Sequence, residues 1–216
     1  MNQARNTIIN NIRHSLRRHE LDSDTVNQLE DRLMTHTAHE QPVLEMPLIK
    51  LFINQLKKVS GTVESILNPK DIPFAILEFL HQHHLSPKMV VDTHLNTINW
   101  PHKLQMAYRA AQDEDITGVS QAFAGIAETG SLVLLSNPAS PTTLNFLPDN
   151  HIIVLQQKNL VTHIEEVWTK LRTQPMPRTV NLITGPSRTA DIEQTLQLGA
   201  HGPRRLHVIL VVTGNK

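Results

Sequence analysis

LHVILVV at Leu206–Val212 and HIIVL at His151–Leu155 decide the fold class. Both are short, nearly continuous apolar runs rich in β-branched residues. A strand wetted on one face alternates apolar with polar, whereas a strand covered on both faces need not. These runs therefore predict buried strands of a parallel sheet. Working outward, Lys88–Asp92 (KMVVD), Ile116–Val119, Ser131–Leu135 and Thr179–Thr184 read as further strands, and Thr62–Ile66 as a short one. Helical patterns separate them: Asp71–His84, with Asp71 as cap and Pro73 in the first turn, then Met106–Asp113, Lys158–Arg172 and Ser187–Leu198. Pro141–Leu147 is a loop or short helix. Strands alternating with helices predict an α/β fold over residues 61–216, with a three-layer, doubly wound and mostly parallel sheet.

Residues 1–60 read as a helical appendage. Ile8, Ile12 and Leu16 recur every four residues, and Ser23 or Asp24 can cap a second helix carrying Val26, Leu29 and Leu33. After the break at Gln41–Pro47, Leu48, Leu51, Phe52 and Leu56 form a third stripe. With no strand signal and few groups suited to chemistry, this segment is expected to serve packing or oligomerisation.

Composition narrows the function. The 20 Lys and Arg residues balance 20 Asp and Glu, so nothing suggests an electrostatic grip on nucleic acid or an anionic membrane. The chain has no cysteine, which excludes disulfides, a catalytic thiol and any cysteine-held cluster or zinc in this polypeptide. The polar start Asn2–Asn6 is unlike a secretory signal, and no apolar run approaches the ~20 residues needed to span a bilayer. A cytoplasmic protein is expected. Among 13 histidines, His36 with His39, and His81 with His83 and His84, are close in sequence, but no third ligand stands at a zinc-like offset. They read as partly exposed helix residues, and no metal is expected.

Candidate chemistry lies in two turns. GIAETGSL (Gly125–Leu132) places Glu128 among small residues just before a buried strand. A carboxylate there can act as base or nucleophile if burial raises its pKa, or it can pair with Arg188 or Arg204 and only hold the turns together. In GPSRTADIE (Gly185–Glu193), Ser187 can cap a helix whose first amides would cradle an anion, with Arg188 as a bidentate clamp. The alternative is an ordinary capped turn with Arg188 in a salt bridge. Asp191 and Glu193 would repel a highly charged ligand, so a carboxylate or a hydroxylated ligand fits better than a triphosphate. If both turns act together, Glu128 and Arg188 meet across one crevice at the sheet's rim. Gly199–Arg204 (GAHGPR) joins a helix end to the last strand and is expected on the opposite edge, which makes His201 structural unless the connection folds back. Asn137, Ser140 and Thr142 could line the cleft.

Taken in order, GIAETGSLVL, LP..HIIVL, GPSRTADIE and GAHGPRRLHVILV resemble the LUD-domain family, over roughly residues 61–216. The resemblance implies a fold similar to the sugar-isomerase and CoA-transferase superfamily. It implies a part in oxidising L-lactate to pyruvate beside iron–sulphur partner subunits, which would carry the clusters while this chain carries no cofactor. It also carries over Glu128 as a catalytic residue, and Thr129, Gly130, Ser187, Arg188, Thr189, Asp191, His201 and Gly202 as residues around a small carboxylate ligand. The expected role is accessory or substrate-handling, without activity for the chain alone. Two alternatives stand beside it. AETG is loosely similar to the glutamate–glycine turn of CoA transferases, which would make this an acyl-transfer or sugar-phosphate-type enzyme, although the glycine-rich oxyanion loop is missing. A non-catalytic assembly protein is the other.

Overall fold

The computed structural model describes residues 2–19, 21–34, 40–138, 140–189, 197–198 and 202–212. Two compact units divide the chain, Met1–Pro42 and Val43–Lys216. The first holds α1 (Asn2–Ser15) and α2 (Ser23–Met34), with Ile8, Ile12, Leu16 and Leu33 exposed. Asp22, rather than Ser23 or Asp24, caps α2: its carboxylate accepts from Thr25 N and Thr25 Oγ1, both at 2.8 Å.

The second unit begins with α3 (Leu48–Lys58), β1 (Thr62–Ile66), α4 (Ile72–Gln82), β2 (Lys88–Val91), β3 (Gln105–Ala107) and β4 (Thr117–Gln121). A hairpin follows, β5 (Ala124–Ile126) and β6 (Ser131–Leu135), then α5 (Thr143–Phe146), β7 (Asn150–Gln156), β8 (Leu160–Val161) and α6 (Ile164–Arg172). β9 (Val180–Ile183), β10 (Arg188–Thr189), β11 (Gln197–Leu198) and β12 (Arg205–Val211) complete it.

Six strands form an all-parallel sheet in the order β1-β12-β7-β4-β2-β3. The two runs that decided the fold class lie side by side at its centre, Ile152 opposite His207 and Val154 opposite Ile209. Side chains alternate between the faces of a strand, and both faces are covered. Ile152, Val154, Ile209 and Val211 meet Ile76, Phe79 and Leu80 of α4. Ile153, Leu155, Val208 and Leu210 meet Phe52 and Leu56 of α3 and Leu132 and Leu134 of β6.

A second sheet, β8-β5-β6-β9, covers that second face beside α3, and α6 packs beyond it through Val167 and Leu171. Its β5–β6 and β6–β9 pairs are antiparallel. Ser131–Leu135 and Thr179–Thr184, expected in the main sheet, supply β6 and β9 here. Burial on both faces makes β6 look in sequence like a central parallel strand.

Other expectations are corrected. α3 is no appendage, since its Phe52 and Leu56 are fully buried in the second unit. Met106–Asp113 is not helical: Gln105–Ala107 pair with β2, and Asp115 then takes Gln112 N (2.8 Å) and both Arg109 nitrogens into a turn. Lys158–Arg172 is helical only from Ile164, because Leu160 and Val161 pair with Gly125 and Ile126. Glu166 starts α6 by accepting from Thr162 N at 2.8 Å and His163 N at 3.0 Å. Of Ser187–Leu198, Arg188–Thr189 and Gln197–Leu198 form an antiparallel pair, and the residues between are outside those described. His81, His83 and His84 are exposed as expected, His36 and His39 lie outside the described residues, and three histidines not singled out, His151, His163 and His207, are buried. No helix among the described residues is long and apolar enough to cross a membrane.

Candidate functional site

The two turns converge on the C-terminal end of α3. Gly130 (φ +70°) lies against Leu56 and Gln55, and Gly185 (φ +90°) against Val59. Gln55 Nε2 donates to the Glu128 carbonyl at 2.9 Å, and Arg188 donates to Ser60 Oγ. Between the turns, Ser131 Oγ lies 2.7 Å from Thr129 Oγ1 and 2.6 Å from Thr184 Oγ1. This follows from register: β6 and β9 pair Leu132 with Ile183, so the next residues out, Ser131 and Thr184, face one another.

The functional side chains point to other partners than those expected. Glu128 Oε2 is 2.9 Å from His163 Nδ1, with the carboxylate side chain 30 % exposed and the imidazole buried. Arg188 takes Ser60 and not Glu128, and Arg204 lies 3.4 Å from Asp149. Ser187 starts no helix, so the anion cradle expected at its amides is absent; its N–H donates to Pro203 O at 2.8 Å. That bond brings Gly202 against Ser187, so Gly202 and Pro203 lie on the second turn instead of across the sheet from it, while Gly199, Ala200 and His201 are outside the described residues. Thr129, Gly130, Ser187, Arg188 and Gly202 thus gather around one helix end. Thr189 pairs through its backbone with Gln197. Asp191 and His201 lie outside the described residues.

A second location was not singled out in the sequence. β2 leads on to β3 at one edge of the sheet, while β4 leads on to β7 in the opposite direction, so their carboxyl ends part at a topological switch point. Ligands of open α/β sheets bind in such crevices. A cavity of about 500 Å³ lies there, bordered by Asp92, His94, Gln121, Phe123 and Asn159. Asn137 and Ser140, expected in the cleft of the two turns, line this cavity instead, and Thr142 is not among its lining residues.

Asp92 is the buried centre of this site. Its Oδ1 accepts from His94 N at 2.9 Å and lies 2.7 Å from His94 Nδ1. Its Oδ2 accepts from Ser140 Oγ at 2.8 Å and, more weakly, from Gln121 N at 3.4 Å. An ionised carboxylate only accepts, so the short contact calls for a proton on His94 Nδ1, the tautomer in which Nε2 is the free acceptor. KMVVD followed by THL carries the available signal, an acid at a strand end and a histidine two residues on, but by itself that pattern marks only a strand terminus. Among the described residues no three His, Asp or Glu side chains are placed to hold a metal ion.

The model of the LUD domain matches residues 88–211, more than half of the chain and the whole stretch from β2 to β12. The chain belongs to the LUD-domain family. A Neisseria meningitidis serogroup B relative, an uncharacterized protein, is 41% identical over 97 residues, 44% of this chain and 42% of that one. Lactate utilization protein C of Anoxybacillus flavithermus is 35% identical over 86 residues, 40% of this chain and 39% of that protein. The chain thus matches less than half the length of either relative. The crystal structure of a DUF162 family protein from Deinococcus radiodurans superposes with a TM-score of 0.60 at 19% identity, covering 79% of this chain and 99% of that one, and shares the fold. Both locations, the LUD-domain turn cluster and the cavity, draw most of their residues from the matched stretch. They sit at opposite ends of β5 and β6: Phe123 and Leu135 border the cavity, and Glu128 and Ser131 the turn cluster.

Proposed function

We propose that this LUD-domain chain is a substrate-handling component of lactate utilisation, acting with iron–sulphur partner subunits that oxidise L-lactate to pyruvate. The relatives named for lactate utilisation support the pathway. Oxidising lactate removes two electrons and two protons. A chain without cysteine cannot ligate a cluster through thiolates, so the reading gives the electrons to the partners and the organic acid to this chain.

One observation carries the substrate role: Glu128 and Arg188 are both anchored to the stretch from Gln55 to Ser60. Gln55 lies in the last turn of α3 and Ser60 two residues past its end, so the Glu128 main-chain carbonyl and the Arg188 guanidinium are held on one short stretch of chain. Arg188 is exposed and supplies a permanent cation with fork geometry for a carboxylate. Glu128, backed by His163, would orient the hydroxyl or accept its proton.

Growth on L-lactate as sole carbon source tests the reading. Loss of the gene is expected to abolish growth, and neither Arg188→Ala nor Glu128→Ala is expected to restore it, while both variants still co-purify with cysteine-rich partners. Full growth of both variants with the assembly intact would reduce the turn cluster to packing. Pyruvate formation by the purified chain alone would overturn the division of labour.

A further inference from the structure

The cavity at the carboxyl ends of β2 and β4 has chemistry unlike that of the turn cluster. No lysine or arginine borders it among the described residues. Its one ionic group, Asp92, is a buried carboxylate beneath His94 with both oxygens already engaged. A phosphate or dicarboxylate would find no permanent counter-charge and a negative charge nearby. Its polar lining is rich in carboxamides, from Gln121, Asn137, Asn159 and Gln174, which offer donors and acceptors together, beside the hydroxyls of Ser136 and Ser140. Phe123, Leu135, Pro175 and Pro177 supply apolar lining.

Size points the same way. About 500 Å³ falls within the range of roughly 300–1,000 Å³ typical of sites for drug-sized ligands, well beyond a three-carbon acid. We infer that this cavity binds an uncharged, polyhydroxylated ring, either a free sugar or the ribose of a nucleoside, with His94 Nε2 accepting from one of its hydroxyls. Asp92 positions the imidazole through Nδ1, the carboxamides pair with neighbouring hydroxyls, and the apolar lining takes the face of the ring. The inference is independent of the lactate reading, which places its carboxylate at Arg188 on the far side of β5 and β6.

Ligand-observed NMR titration of the full chain with D-ribose, adenosine, AMP and L-lactate tests it. At least one of the two neutral probes is expected to bind, with AMP and lactate weaker by about tenfold or more at this cavity. Equal affinity for ribose and adenosine would assign recognition to the sugar ring, and binding of adenosine alone to a nucleoside. His94, 52 % exposed, can be changed without unmaking the core: His94→Ala should abolish binding, and His94→Gln, which keeps an acceptor, should restore part of it. No binding of either neutral probe at millimolar concentration, AMP binding as tightly as adenosine, or unchanged binding by His94→Ala would each overturn the inference. Failure here leaves the lactate growth test unaffected.

Discussion

Gly130 lays its backbone directly on Leu56: a Cβ at this position would stand 2.5 Å from Leu56 N and 2.8 Å from the carbonyl carbon of Gln55. Gly185 does the same at Val59, where a Cβ would lie 2.6 Å from the carbonyl oxygen. The two motifs flanking the turn cluster therefore hold α3 between them, and α3 in turn buries Phe52 and Leu56 against the central strands. Helix, turns and sheet face form one mechanical unit.

Gly130→Ala and Gly185→Ala should therefore be costly. Each forces a side chain into positive φ, worth about 1–3 kcal/mol, and adds a backbone clash that only a shift of α3 relieves. Urea unfolding of each variant is the measurement. A change in stability below about 0.5 kcal/mol for both would show that α3 is not held this way.

Asp92→Ala should destabilise more than removal of an exposed acid. It strands His94 N, Ser140 Oγ and Gln121 N around a buried vacancy, at about 1–3 kcal/mol for each donor left unpaired. Asp92→Asn, which keeps one acceptor oxygen, should fall between. Exposed ion pairs contribute about 0–1 kcal/mol, so Glu45→Ala, at an exposed position, is the comparison. Equal melting temperatures for Asp92→Ala and Glu45→Ala would contradict the assigned geometry.

Ser131→Ala removes the middle of the Thr129–Ser131–Thr184 hydroxyl chain. Ser131 is buried, so a loss of about 1–2 kcal/mol in thermal unfolding is expected. Thr129→Val, at the chain's end, should cost less. The reverse order would mean that the chain does not tie β6 to β9.

The central parallel sheet was legible because Ile152–Leu155 and Leu206–Val212 are apolar on both faces, a pattern that local sequence carries directly. The second sheet was not. Ser131–Leu135 has the same pattern because it lies between the main sheet and α6, and burial does not encode strand direction. The helix expected at Ser187 failed for a tertiary reason: Ser187 N is taken by Pro203 O, a bond between residues sixteen apart in sequence. Small residues let both turns pack closely on α3, but nothing in them indicates the side-chain partners. His163 and Ser60, which hold Glu128 and Arg188, carry no motif of their own. Asp92 was hidden for the opposite reason, since one acid at a strand end is common and only the switch-point topology gives it a cavity.

Acid should weaken the fold through two strand histidines. Burial pushes His151 down to about 3, with Ser120 Oγ 2.8 Å from its Nε2. Burial, and then the charge of His83, push His207 down to about 4. Glu64 lies 3.8 Å from His207 Nε2 and would favour the charged ring, but at 41 % exposure it is too solvated to offset burial. Both rings stay neutral in the folded chain while the unfolded chain protonates near its ordinary value of about 6.5. Stability is therefore undiminished above about pH 6.5 and falls as pH drops from there, by up to about 1.4 kcal/mol per pH unit for each ring. The decline from His207 ends near its folded value of about 4, and that from His151 near about 3. Urea midpoints between pH 7.5 and 4.5 should fall steadily, by the equivalent of several kcal/mol, and His207→Gln, which keeps a partner for Thr62, should roughly halve the slope. A flat profile down to pH 5, or an unchanged slope in the variant, would mean that these rings are not buried as neutral groups.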